Sequence, residues 1–266
     1  MATQERDMGF TGRLGKVSAY KMRGHDKIVM RSRGGASKKQ IKTSPDFEST
    51  RNLNSEWKAV TTASAEIRAG LYALKPLADY NTSGPLNAIV KKIQTADTDH
   101  PKGKRSILFS RQPDLLSGFS FNRKTLFDSV IRQPLSVTID PSAAVAEVVI
   151  PALTPGINFF GNPRYAYYQF VLAFTAVSDY SFDEMSGKFN AVCPKIPDYR
   201  SVFTPWVPVN ALQPSAAYRL APDNTNPPVP GMTLVFGAGI QYGMPAPDGS
   251  IQPVPYSGSA RILKSV

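Results

Sequence analysis

Histidine and cysteine are nearly absent. His25, His100 and Cys193 are the only imidazoles and thiol in 266 residues. Two His and one Cys do not fill an N/S zinc site. A single thiol forms no internal disulfide, so a disulfide-stapled scaffold is excluded. A lone Cys reads as a small hydrophobe suited to a reducing compartment. Long apolar runs are missing too. No window approaches the roughly 18 uninterrupted apolar residues of a membrane span. The opening MATQERDMGF lacks the apolar run of a secretory signal. The expectation is a cytoplasmic protein without a membrane span, with release or signal-independent export left open.

Motifs for chemistry are equally scarce. Gly15-Lys16 has Phe10 where a phosphate-binding loop needs glycine, and Val17 where it needs Ser or Thr. Gly34-Gly35-Ala36-Ser37-Lys38-Lys39 is glycine-rich but is not a dinucleotide fingerprint, and reads as a turn. Asp179 to Glu184 is acidic but lacks the glycine and distal Glu of a calcium loop, and reads as a solvated loop. Asp97 with Asp99, and Asp183 with Glu184, are acid pairs whose use in hydrolysis would need spatial opposition. No G-x-S-x-G elbow occurs. These readings predict no enzyme, no metal, no cofactor and no small-molecule substrate.

Positive charge is abundant. The net charge is +11, and it is unevenly placed. Residues 1–133 carry 24 Lys and Arg against 12 Asp and Glu; residues 134–266 carry 7 against 8. Proline divides the other way, with five before residue 134 and eighteen from there on. Two shifts at one place predict a boundary. Lys and Arg crowd residues 21–43, where Asp26 is the one acid.

The local patterns give three segments. In 1–43, KVSAYKM and KIVMRS flank Arg23-Gly24-His25-Asp26 and predict a β-hairpin within a basic arm. Alternation puts Ile28 and Met30 on one face, and Lys27, Val29 and Arg31 on the other. In 44–133, Ser44-Pro45 suits a helix start, and Phe47, Leu53, Trp57, Val60, Ile67, Leu71 and Leu74 form one helical stripe. Trp57, Ile67 and Leu71 are therefore expected in the core. A second helix fits 85–96, giving an antiparallel pair. In 134–266, LSVTID, AEVVIPAL, RYAYYQFVLAFTAV, YRSVFTPWVPV, MTLVFGAGIQYG and SARILKSV read as strands separated by Pro/Asp/Asn/Gly turns, among them Pro222-Asp223-Asn224. The predicted class is α+β: hairpin and helical pair, then a Pro-rich antiparallel β-sandwich of immunoglobulin-like type. Tyr165, Tyr167, Phe170 and Phe174 are assigned to the sandwich.

With these residues in view, the chain resembles a family of uncharacterised proteins common in Bacteroidota. GFTGRLGKVSAYKMRGHDKIVMRSRGGASKK, SPDFESTRNLNSEWK, LVFGAGIQYG and SARILKSV carry the resemblance. It implies the same order of basic segment, helices and β domain, and brings no catalytic residues.

The functional expectation is a non-enzymatic structural protein that self-associates into a tubular, filamentous or other repeating homo-oligomer. Its contact charges would be Arg13, Lys16, Lys21, Arg23, Lys27, Arg31, Arg33, Lys38 and Lys39. The acidic stretch 179–184 would be a receiving surface. The alternative is a nucleic-acid-binding protein that uses the same basic surface.

Overall fold

The computed structural model describes residues 2–3, 11–22, 27–32, 34–193, 200–221 and 230–266. The chain forms two compact units, Met1–Arg51 and Asn52–Val266. The break follows packing rather than composition, and the charge and proline shift at residue 134 falls inside the second unit.

The first unit holds a four-stranded antiparallel sheet. Its strands are β1 (Ala2–Thr3), β2 (Gly12–Leu14), β3 (Val17–Lys21) and β4 (Ile28–Ser32), in the order β1-β4-β3-β2. The expected β3–β4 pairing is present, with Ala19 opposite Met30 and Lys21 opposite Ile28. The turn between them, residues 23–26, lies outside the described residues. β2 joins β3 through Gly15-Lys16, and Gly15 takes the positive φ (+55°) that a two-residue hairpin requires at its first position. That dipeptide is thus a turn element. β1 and β2 extend the hairpin beyond what alternation alone predicted.

The glycine-rich stretch ends in a helix rather than a plain turn. Ser37 caps α1 (Lys38–Thr43) in a reciprocal capping box: its hydroxyl accepts from Gln40 N (3.1 Å), and its own N–H donates to Gln40 Oε1 (2.7 Å). Pro45 opens a 3-10 turn, Pro45–Phe47, and α2 begins at Glu48 and runs to Gly70.

The second unit is built around two long strands. β5 (Ser136–Asp140) and β6 (Val145–Ile150) come first, followed by β7 (Tyr167–Ser178), β8 (Tyr180–Asp183) and β9 (Lys188–Ala191). β10 (Arg200–Phe203), β11 (Val207–Pro208), β12 (Ala216–Leu220), β13 (Met232–Pro245), β14 (Ile251–Pro253) and β15 (Ser259–Ser265) complete the set. β7 and β13 pair antiparallel over their length, with β10 and β11 on one side and β14 and β15 on the other, making six strands. β12-β6-β5 form a second sheet, and β8 with β9 a hairpin. Helices and antiparallel sheets together give the α+β class. The turn proposed at 222–224 lies outside the described residues.

β7 and β13 are buried on both faces, and the two faces carry different side chains. Tyr168, Phe170, Leu172 and Phe174 of β7, with Leu234, Phe236 and Ile240 of β13, pack toward Val148, Ile150 and Leu220 of the small sheet. Val171, Ala173, Val177 and Val235 pack instead against α2, α3 (Ser83–Thr95) and the 3-10 segment Tyr72–Leu77. The second face is made of small residues because the helices come close. A Cβ on Gly237 would lie 2.7 Å from Leu74 Cδ1, and one on Gly239 would lie 2.9 Å from Ala260 Cβ and run into Leu77. The LVFGAGIQYG stretch thus uses glycine at alternate positions to admit leucines from above.

The helical stripe holds at Val60, Ile67, Leu71 and Leu74, all buried, and fails at its N-terminal end. Ile67 and Leu71 are buried, but Trp57 is 48 % exposed and Leu53 is also exposed. The buried face of α2 is Glu56, Ala59, Val60, Ala63, Ser64, Ile67 and Gly70. Small residues are selected there for the same reason as the glycines of β13, and a tryptophan does not fit that close approach. Phe170 and Phe174 are buried as expected, while Tyr165 and Tyr167 are half-buried. Tyr165 stacks on Tyr242 with ring centroids 4.9 Å apart.

Candidate interaction surface

The register of the first unit's sheet sorts its residues cleanly. Arg13 and Arg31 both lie opposite Ser18, so these three share a face with Tyr20 and Val29. Arg31 lies over the Tyr20 ring, 5.8 Å from its centroid. The other face carries Leu14, Val17, Ala19, Ile28 and Met30, with Lys21 at one end. The predicted alternation of Ile28 and Met30 against Val29 and Arg31 holds in the register. Among the described residues of the unit, only Ala19 and Val29 are buried; Leu14 is 68 % exposed.

Arg13, Lys16, Lys21, Lys27, Arg31, Lys38 and Lys39 are all exposed. Arg13 and Arg31 line one concavity of about 490 Å³ with Ser18, Ser32 and Gly34. Lys38 and Lys39 sit on α1, and Lys16 in the β2–β3 turn. Arg23 and Arg33 lie outside the described residues.

The acidic stretch is not the exposed loop the sequence suggested. Asp179 is buried, accepting from Ser110 N (3.0 Å) and from the Ser110 hydroxyl. Burial raises its pKa against the lowering effect of those bonds. Tyr180 to Asp183 is strand β8, and Glu184 is bridged to Lys104 Nζ at 2.7 Å. Asp179 is therefore internal, and Asp183 and Glu184 are the two acids of the stretch left at the surface, at the β8–β9 turn.

The remaining acids hold the second unit together. Glu56 is fully buried. Its carboxylate accepts from Arg105 Nε (2.9 Å) and Nη2 (2.7 Å), from Lys91 Nζ (2.7 Å) and from Gly103 N (2.7 Å). Burial alone would raise its pKa, but these donors outweigh it and hold the pKa at about 2. The cluster joins α2, α3 and the loop 97–106. Asp97 accepts from Ser106 N and His100 Nδ1, while Asp99 pairs with Arg111. Neither acid pair singled out in the sequence faces the other across a cleft. Cys193 is buried against Pro230, with its N–H on the Ser178 hydroxyl.

Nothing in the sequence marked Glu56 as the centre of a charge cluster, because its partners come from positions 35 to 49 residues away. Among the described residues, no helix is long and apolar enough to cross a membrane. Comparison with protein-family models, curated proteins and solved structures finds no match.

Proposed function

We propose that this chain is a non-enzymatic structural protein that self-associates, through its N-terminal unit, into a tubular, filamentous or other repeating assembly. The observation that carries this reading is the sheet β1-β4-β3-β2. It has an apolar face of Leu14, Val17, Ile28 and Met30 but buries only Ala19 and Val29 among its described residues. A small sheet gains its stability by packing that face on something. Its outer strands, β1 and β2, are paired on one side only among the described residues. A second copy of the chain is the proposed partner. Sheet packing replaces the charge-to-acid contact first expected, since Asp179 is internal. If this face meets a different surface of the next copy, the contact is head-to-tail and closes into a ring or continues as a filament; the same face meeting itself would stop at a dimer. The basic residues then set register and steer encounter. The immunoglobulin-like reading of the two facing sheets and the Bacteroidota resemblance belong to the same proposal.

Negative-stain electron microscopy of nuclease-treated protein at low and high salt tests it. Regular rings, tubes or filaments are expected; small monodisperse particles at every salt concentration would refute it. One observation favours a second reading. The concavity of Arg13, Arg31, Ser18 and Ser32 has the donors that phosphate takes. Nucleic acid bound there would copurify and be released by high salt.

A further inference from the structure

A second cavity, of about 520 Å³, opens on the helical side of the second unit. Tyr72, Tyr80, Tyr256, Arg68, Lys75 and Ser83 line it, and no Asp or Glu is among its lining residues. Its size suits a small ligand.

Each of these side chains is placed by a specific contact. The Tyr80 hydroxyl donates to Ser120 O (2.8 Å), and the Arg123 guanidinium covers the ring 4.3 Å from its centroid. Arg68 spends Nε on Ser64 O (3.2 Å) and Nη1 on Ser83 Oγ (2.7 Å), which leaves Nη2 without a protein partner among the described residues. Lys75 lies 5.5 Å from the Tyr72 ring centroid and pairs with no acid among the described residues.

Tyr256 decides the reading. It is 75 % exposed and holds φ at +56°, a conformation costly for a bulky residue. Its N–H donates to Pro76 O (2.9 Å), and Val254 N to Tyr242 O (2.8 Å), so the turn is tied down at both ends. An exposed ring is thus held in a strained backbone beside the cavity. Tyr72, 61 % exposed, lines the same cavity. Exposed aromatics beside cations that pair with no acid among the described residues form the composition that stacks a base and neutralises a phosphate. The N-terminus of α3, at Thr82-Ser83, opens at the same place and adds a favourable field for an anion.

We propose that this cavity binds a nucleobase-bearing phosphate, its base stacked on the exposed tyrosines and its phosphate held by Arg68 and Lys75. The source is either a free nucleotide or a single strand of nucleic acid. The site is distinct from the N-terminal unit and does not depend on self-association.

Calorimetric titration of the full chain with AMP and with a short oligo-dT separates the sources. Tight AMP binding assigns a free nucleotide. Oligo-dT binding with steep salt dependence, and weak AMP binding, assigns a strand. In either case Tyr72→Ala and Tyr256→Ala are each expected to weaken binding about tenfold, and Lys75→Ala to flatten the salt dependence. Tyr256→Gly separates binding from folding: it should lose affinity while the melting temperature stays or rises, since glycine relieves the strained φ. The proposal is overturned if neither probe binds, or if binding is unchanged in the three tyrosine variants.

Discussion

The two units solve the problem of burying a sheet in opposite ways. In Asn52–Val266, β7 and β13 are covered on both faces, by helices on one side and by β12-β6-β5 on the other. Bulky residues face the small sheet, and glycine, alanine and valine face the helices. In Met1–Arg51, four short strands bury two described side chains and leave Val17, Ile28 and Met30 half-buried and Leu14 exposed, and the unit carries eight exposed described cations. The second unit contains its own explanation. The first buries little among its described residues, and that contrast is the physical basis for proposing it as the contact.

The contrast can be broken most severely at Glu56. Glu56→Ala leaves Arg105 and Lys91 facing a buried void, and should cost about 4 kcal/mol of stability in chemical denaturation. Acid should probe the same cluster. The Glu56 pKa is depressed in the fold from 4.5 to about 2. Its contribution is therefore complete above the unfolded value and is lost as pH falls from 4.5 toward 2. A loss of about 3 kcal/mol is expected across that window in a denaturation series. In Glu56→Gln the window should flatten. Gly239→Val tests the close helix–sheet approach, since its side chain meets Leu77, Ala260 and the Ser259 carbonyl. Overpacking there should cost about 2 kcal/mol, read as a lower melting temperature. The smallest effect belongs to the first unit. Arg13→Glu with Arg31→Glu should change stability by under about 0.5 kcal/mol, because both side chains are exposed. The same pair should nevertheless change assembly.

The legibility of the sequence follows the same division. Strands β5, β6, β7, β13 and β15 were readable because their β-branched and aromatic runs leave no helical alternative. The β8–β9 hairpin was not, since DYSFDEMSGKFNA is polar and its one apolar pair, Phe182 and Phe189, meets only across the turn. Gly187, at φ +63°, is the local signal that marks it. The apolar pattern misplaces Trp57 in the core, because size, not hydrophobicity alone, decides what fits over a glycine-lined sheet. The α1 cap was visible as Ser37-x-x-Gln40, a pattern hidden beside the more conspicuous glycines. The tyrosine-lined cavity joins positions 68–83 to Tyr256, a juxtaposition that only the fold creates. The N-terminal alternation, by contrast, was fully legible, since a strand's two faces are written directly in its sequence.

Sedimentation velocity of the full chain, from low to high micromolar concentration, tests the central claim most directly. The account predicts species that grow with concentration in the native chain, and a shift toward monomer in Leu14→Glu, on the apolar face, at matched stability. A native chain that sediments as a monomer at every concentration would contradict it.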